Sequence, residues 1–225
     1  MTAPLGKAAD MRFHNGKFRV MQVADIQDTQ QMSSDTLTFL SAALDEAKPD
    51  LVVFTGDQFK GYGVTFLLGD REKNYEKAIA RMVAPLEERN IPFTFVFGNH
   101  DDQAFGIPKE KQLKMYQSHK NCLAVAGDPA LAGLCNHYIP LKSEDGKKTE
   151  FVLYFIDSLS TSLDGRCAAV TKEQIAWYKS VRDALKAENG NYVPAIAFQH
   201  IPVPEMWDLL KEVPKSQKPH AQGFR

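Results

Sequence analysis

The chain has 225 residues, of which 44% are hydrophobic and 24% charged, and its formal net charge is -1. This composition excludes a disordered or fibrous protein, and the length suits one large domain, which we predict to span residues 1–225. No apolar run approaches the roughly 18 residues that a membrane-spanning helix needs. The charges are mixed and form no basic stripe, so we expect neither a membrane segment nor a nucleic-acid partner.

The N-terminus and the cysteines bear on the cellular compartment. Residues 1–18 lack the continuous apolar stretch of a signal peptide. Cys122, Cys135 and Cys167 are odd in number and scattered, without the spacing of a zinc finger. Buried thiols in a reducing compartment are favoured over a structural disulfide. We therefore predict a cytoplasmic protein.

The first half of the chain alternates strands with helices. Three apolar segments predict buried strands, the first of them central in its sheet, at residues 18–24, 51–55 and 93–97. Ser33 or Ser34 can cap a helix between the first two strands, and apolar spacing over residues 75–86 predicts another before the third. This order of elements predicts a parallel sheet with right-handed crossovers.

The second half has a different pattern. A helix is predicted between Pro108 and His119, and the segments 137–142 and 151–157 flank a turn-like stretch, which predicts an antiparallel hairpin. Thr171 can form a capping box before the next helix. Its predicted buried residues are Ile175, Tyr178, Val181 and Leu185. A last short strand at residues 194–198 leads into His200.

Polar residues follow the predicted strands at the point where each strand ends. In chain order these are Asp25 and Gln27, then Asp57, then Asn99, His100 and Asp101, and finally His200. Each of them alone is ordinary, because an Asp after a strand is commonly a turn residue and a single His is commonly structural. The carboxyl ends of parallel strands meet at one edge of a sheet, where sites form. Together, the set predicts a functional site at that edge.

At these residues the sequence resembles the calcineurin-like metallophosphoesterases. The ordered motifs of that superfamily are Asp-x-His, Gly-Asp, Gly-Asn-His-Asp/Glu, a lone His and a final Gly-His-x-His. The matching segments here are Asp25-Ile26-Gln27, Gly56-Asp57, Gly98-Asn99-His100-Asp101 and His200. The stretches VVFTGDQ, VFGNHDD and FQHIPVPE further resemble the branch related to purple acid phosphatases. The resemblance implies an α/β fold, a four-layer α/β/β/α sandwich with two mixed sheets, here lacking its C-terminal strands.

The same resemblance implies metal-dependent hydrolysis of phosphate esters by a hydroxide that bridges two divalent ions, with Mn, Fe or Zn expected. Asp57 would bridge the ions, Asp25 and Gln27 would bind the first, and Asn99 and His200 the second. Two metals about 3.5–4 Å apart can lower the pKa of water and clamp an in-line displacement at phosphorus.

Two catalytic roles are also implied by the resemblance. His100 would stabilise charge on the phosphoryl oxygens or protonate the leaving alkoxide. Asp101 would orient His100 through a hydrogen bond, with an exposed loop carboxylate as the alternative. The loops at residues 61–68 and 105–127, which would choose the substrate, carry no known signature.

Two departures from the motifs bear on activity. Gln27 replaces a His, which weakens the first metal site or shifts its preference toward Mn or Mg; Asp28 is a possible substitute ligand, although a surface role is favoured. No Gly-His-x-His motif is present, and His220 is interpreted as an exposed histidine. We therefore expect low activity, poor metal binding and self-association through an uncovered sheet edge.

Two other functional classes compete with the phosphoesterase hypothesis. One is a catalytically degenerate member that uses the fold as a binding scaffold, which both departures favour. The other is a metal-independent hydrolase that uses Ser158 or Cys167, but neither has a partnered base at recognisable spacing.

Overall fold

The computed structural model describes residues 11–160, 169–203 and 205–206. Within these ranges six strands form two sheets of three strands each. The strands are β1 (Val20–Val23), β2 (Leu51–Phe54), β3 (Phe93–Phe95), β4 (His137–Lys142), β5 (Thr149–Phe155) and β6 (Ala195–Phe198). The helices are α1 (Ser34–Ala47), α2 (Val64–Leu67), α3 (Arg71–Glu88), α4 (Lys109–Gln117) and α5 (Lys172–Asn189), with a 3₁₀ turn at Asp101–Gln103. No helix in the described ranges is both long and apolar enough to span a bilayer.

The first sheet has the strand order β1-β2-β3, and both pairings are parallel, as predicted. All four residues of the central strand β2 are buried. Within the described residues β1 lies at the edge of this sheet and is half exposed, so the prediction that residues 18–24 form a buried central strand is wrong there. Its two faces still pack partly against two different cores, through Met21 on one and Val20 on the other. That packing explains why its sequence looks like that of a central strand.

The second sheet has the order β4-β5-β6 and is mixed. Strands β4 and β5 pair antiparallel, so the predicted hairpin is confirmed, and β6 joins β5 in parallel. His200 follows β6 and reaches the strand ends of the first sheet, where its Nδ1 donates to the Thr55 carbonyl over 2.8 Å.

Three hydrophobic clusters separate four layers of structure. In β2, Val52 and Phe54 face the helices α1 and α3, whereas Leu51 and Val53 face the second sheet. Strand β5 alternates likewise between the space shared by the two sheets and helix α5. Period-two alternation places successive side chains on opposite faces of a strand. The predicted sandwich of two sheets flanked by helices is confirmed, with the described strands of the first sheet all parallel.

Local signals in the sequence fix most helix ends. Ser33 caps α1 by accepting a hydrogen bond from the Asp35 backbone, and Thr171 forms the predicted capping box with Gln174 at α5. In α5 the predicted burial of Ile175 is wrong: Ile175 is exposed, and Trp177 is buried in its place. The buried face of the helix is therefore offset from the predicted one.

The cysteines follow the sequence prediction where they can be described. Cys122 and Cys135 are both buried in the core between the first sheet and its helices. Cys167 lies outside the described residues.

A histidine is buried between the two sheets. The His137 ring donates from Nδ1 to the Cys135 carbonyl over 2.6 Å, and its Nε2 lies 2.8 Å from the Thr94 hydroxyl. The ring also stacks on Phe155, with 4.5 Å between ring centroids. Burial lowers the pKa of His137 to about 4, because the charged imidazolium would lose its hydration there.

This burial makes acid pH destabilising. In the folded state the His137 ring stays neutral down to about pH 4, whereas in the unfolded chain it takes up a proton near pH 6.5. The free energy of unfolding therefore falls as the pH falls from about 6.5 toward about 4. We expect His137 to account for a loss of about 3 kcal/mol across that window. Urea unfolding between pH 4 and 7.5 measures it. The variant His137→Gln should show a smaller pH slope, whereas the exposed-residue control His14→Gln should keep the slope of the unaltered chain.

Candidate metal centre

Backbone hydrogen bonds join the loop after β1 to the loop after β2. The Asp25 N–H donates to the Gly56 carbonyl over 3.1 Å, and the Gln27 N–H donates to the Asp57 carbonyl over 3.0 Å. Asp25, Gln27 and Asp57 all have left-handed backbones, with φ of 52°, 46° and 56°. Non-glycine residues rarely adopt this conformation, and its strain clusters at functional sites.

The candidate ligands converge at this junction. Asp25, Asp57 and His200 each offer a ligand atom, and the three atoms lie within 4.8 Å of one another. The Nε2 atom of His200 lies 3.3 Å from Asp57 Oδ2 and 3.0 Å from Asn99 Oδ1. Residues 25, 57, 99 and 200 are therefore brought together from four separate strand ends, as the sequence predicted.

Gln27 joins this edge only through its backbone. Within the described ranges its side chain makes no hydrogen bond, so its role as a ligand stays a prediction.

The donor atoms suit a cation. His200 Nδ1 donates to the Thr55 carbonyl over 2.8 Å, so Nε2 is the atom left to face the oxygens of Asp57 and Asn99. If the ring is neutral, the lone pair of Nε2 points at the oxygens of Asp57 and Asn99. A proton or a metal ion between Nε2 and these oxygens makes that arrangement favourable. Imidazole nitrogen with carboxylate and amide oxygens is a donor set that Mn, Fe and Zn accept.

The two central ionisable groups stabilise each other's charge. Burial alone would raise the pKa of Asp57, but the hydrogen bond and charge of His200 and the N–H of His100 lower it below its ordinary value. Burial alone would lower the pKa of His200, but the hydrogen bond and charge of Asp57 raise it. The carboxylate is therefore held in its ionised form, which is the form that binds metal.

Two glycines allow the loops to come this close. A Cβ atom on Gly98 would lie 2.2 Å from Asp57 Oδ1, and one on Gly56 would lie 2.5 Å from the Gly98 nitrogen and 2.8 Å from His200 Nδ1. There is no room for a methyl group at either position. The Gly-Asp and Gly-Asn-His-Asp motifs thus have a steric reason for their glycines.

His100 and Asp101 both attach to the loops that carry Asp57 and Gly98, but not to each other's side chains in the described residues. The His100 N–H donates to Asp57 Oδ1 over 2.8 Å, and its Nδ1 lies 2.8 Å from Gln103 Oε1. Asp101 is buried and accepts from the backbone N–H groups of Gly98 (2.7 Å) and Asp57 (3.1 Å), and burial raises its pKa to about 6.

The expected hydrogen bond by which Asp101 would orient the His100 ring is therefore absent among the described residues. Asp101 holds the two ligand-bearing loops together instead, and the alternative of an exposed carboxylate is wrong. The ring of His100 is contacted by Gln103, which the sequence analysis missed. The spacing of three residues between His100 and Gln103 within a tight turn was the one feature of the sequence that indicated this contact.

Comparison with known proteins bears on the family of the chain. The model of the calcineurin-like phosphoesterase family matches residues 18–217. The chain belongs to that family. Its similarity to purple acid phosphatases extends over most of the chain. It is 29% identical to probable inactive purple acid phosphatase 29 of Arabidopsis thaliana, across 88% of the chain and 54% of that protein. It is 28% identical to the phosphatase DCR2 of Saccharomyces cerevisiae, across 90% of the chain and 38% of that protein.

A solved structure supports the fold assignment. A dimetal phosphatase from Danio rerio aligns with a TM-score of 0.51 and 14% identity, over 82% of this chain and 70% of that one. The chain thus has the fold of this phosphoesterase family, and it spans about half or less of the length of the two curated relatives named above.

Asp28 does not take part in the cluster. Its carboxylate accepts from the N–H groups of Thr29 (2.7 Å) and Ser33 (2.8 Å) and from the Thr36 hydroxyl (2.8 Å). Burial would raise its pKa, but these hydrogen bonds lower it overall. Asp28 therefore orders the start of α1, and the idea that it substitutes for Gln27 as a ligand is wrong for this conformation.

Groups from the second sheet fix the surroundings of the candidate site. The Ser158 hydroxyl accepts from the Ile201 N–H over 2.8 Å, which ties the loop of His200 to the end of β5. Lys109 lies 3.4 Å from Asp102 and 3.7 Å from the fully buried Asp157. This ion pair joins the 3₁₀ turn beside His100 to the second sheet. The sequence analysis missed it, because the partners are far apart along the chain.

The tight contact at Gly98 generates a prediction. In Gly98→Ala the new methyl group must displace the Asp57 carboxylate, so we expect metal affinity to fall by at least the roughly 10- to 100-fold seen when a supporting contact is lost. Titration with Mn²⁺ by calorimetry measures this.

The control is Gly190→Ala at the end of α5, where φ is 80° and no atom lies within 4 Å of the added Cβ. It should lower stability by about 1 kcal/mol through backbone strain and leave metal affinity unchanged. Unchanged affinity in Gly98→Ala would contradict the steric argument.

Proposed function

We propose that this chain hydrolyses phosphate esters with two divalent metal ions held by Asp25, Gln27, Asp57, Asn99 and His200. The observation that carries the proposal is the convergence of Asp25, Asp57 and His200 within 4.8 Å at the meeting point of the strand ends. Membership of the calcineurin-like phosphoesterase family supports it.

The proposed division of ligands is the one that membership of the calcineurin-like phosphoesterase family implies. Asp57 would be the bridging carboxylate, which its place as the buried member of the cluster, facing His200, supports. Asp25 and Gln27 serve the first ion, and Asn99 and His200 the second. Bound metals would supply Lewis-acid activation of water and charge neutralisation at the phosphoryl group. Mn, Fe and Zn are the proposed ions, and the amide oxygen of Gln27 shifts the preference toward Mn.

His100 is the proposed proton donor to the leaving group. Its Nε2 lies 4.0 Å from Asp57 Oδ2, so the ring edge faces the cluster without entering it. The hydrogen bond to Gln103 holds Nδ1 of the ring, and the hydrogen bond from the His100 backbone N–H to Asp57 fixes the backbone. In the doubly protonated imidazolium form, Nε2 is then the atom positioned to give a proton to the leaving oxygen or to stabilise the phosphoryl oxygens.

A second candidate function is binding without catalysis. Two of the relatives carry names that call them probable inactive purple acid phosphatases, and they match 88% and 87% of this chain. Gln27 in place of the motif histidine favours the same alternative. Such a protein would bind phosphate groups at the cluster and turn over slowly or not at all.

Three further proposals concern the domain, the cellular compartment and self-association. We propose that residues 1–225 form one domain and that the protein works in the cytoplasm, the latter from its cysteine usage. We also propose that the chain self-associates through β1, whose outer edge pairs with no strand in the described ranges. Such an edge offers unpaired backbone groups to a second chain.

Hydrolysis should depend on added metal. After exhaustive chelation the chain should release no nitrophenol from 4-nitrophenyl phosphate, and Mn²⁺ should restore the rate better than Zn²⁺ because Gln27 offers an oxygen donor. Asp57→Asn should abolish the restored activity, while the exposed-residue control Asp35→Asn should retain it. A rate that survives chelation would rule out the metal mechanism.

His100→Ala separates catalysis from metal binding. We expect turnover with Mn²⁺ to fall by roughly 100-fold, the contribution of a positioned general acid, with bound metal unchanged. Metal content by atomic absorption and turnover are measured on the same sample, beside the control His14→Ala. Loss of metal together with activity would make His100 a ligand and its assigned role wrong.

A further inference from the structure

Two loops that lack a recognisable substrate signature meet beside His100. The ring centroid of Tyr62 lies 5.0 Å from that of His100, with 46° between the ring planes. Gly61 packs directly on Ala104, since a Cβ on Gly61 would lie 2.8 Å from the Ala104 Cβ. The loop before α2 and the loop after the 3₁₀ turn therefore form one continuous surface that borders the cluster.

Two large side chains of this surface are exposed. The exposed fractions are 43% for Tyr62 and 66% for Phe105, which directly follow Gly61 and Ala104 in the chain. Phe105 also carries the Arg71 guanidinium over its ring, at 4.6 Å from the centroid.

We propose that Tyr62 is a specificity-determining residue that contacts the leaving group of the substrate, and that the site prefers phosphate esters of aromatic alcohols. This inference rests on the proposed function. Hydrolysis breaks the bond between phosphorus and the leaving oxygen, whose electron pair stays on that oxygen and takes a proton from His100. The oxygen of water replaces it at phosphorus and keeps one proton, and the other proton of the water replaces the one that His100 gave up.

The position of His100 determines where the leaving group lies. If His100 protonates the leaving oxygen, the group attached to that oxygen lies next to the His100 ring. Tyr62 is the aromatic side chain in contact with that ring, and its own ring is partly open to solvent. An aromatic leaving group would pack on Tyr62, whereas a sugar or glycerol group would lose hydration there without a matching contact.

A binding measurement tests the inference without relying on turnover. Phenylphosphonate and methylphosphonate are stable analogues that differ in the group bound to phosphorus. With the Mn²⁺-loaded chain, calorimetry should show that phenylphosphonate binds about threefold to tenfold more tightly, the range expected for an aromatic pair. In Tyr62→Ala this ratio should fall to near one, and in Tyr62→Phe it should persist.

The matched control is Tyr192→Ala. Tyr192 is also an exposed tyrosine, but its ring packs against Arg182 and Lys186 of α5. This variant should keep the ratio of the unaltered chain. An equal loss of affinity for both phosphonates in Tyr62→Ala would mean that Tyr62 only positions His100, and it would overturn the inference.

The remaining outcomes separate the inference from the function on which it rests. Hydrolysis of aryl phosphates with no preference for phenylphosphonate would overturn the inference alone. A preference that depends on Tyr62, with no hydrolysis of any ester, would overturn the proposed catalysis and leave the aromatic contact standing. Failure of both phosphonates to bind would contradict both.

Discussion

The site depends on one close contact, the approach of the loop after β2 to the loop after β3 at Asp57. The carboxylate of Asp57 lies in the space that a side chain on Gly98 would fill, and it accepts the His100 N–H. Its backbone N–H is held by Asp101, and its carbonyl accepts from Gln27. Every other candidate ligand is positioned relative to this one buried residue.

Electrostatics makes that contact conditional. A buried carboxylate loses its hydration and needs hydrogen bonds or a cation to remain ionised. Asp57 obtains both from its neighbours, since the His100 N–H and His200 lower its pKa. Asp101 is less compensated, and burial raises its pKa to about 6 even with two backbone N–H donors. The edge thus gathers negative charge and nitrogen lone pairs that a divalent ion would neutralise.

Supporting groups from the second sheet explain why both sheets are needed. Lys109 pairs with the buried Asp157 and with Asp102, and Ser158 holds the loop that carries His200. A buried ion pair of this kind is costly to break, because removing one partner leaves a buried charge uncompensated. The second sheet therefore positions both the candidate ligand His200 and the turn beside His100, the proposed general acid.

The sequence by itself determined the fold class and indicated four residues that meet at the strand ends, Asp25, Asp57, Asn99 and His200. The continuous apolar run of β2, the caps at Ser33 and Thr171, and the strand-end motifs are local signals, and local signals are readable from spacing. Only the tertiary structure decided what crosses between distant segments. The edge position of β1, the attachment of Asp101 to two backbone N–H groups, and the contact of Tyr62 with His100 each depend on which loops meet in space. The burial of Trp177 instead of Ile175 depends on the angle at which α5 packs, and one-dimensional periodicity does not encode that angle.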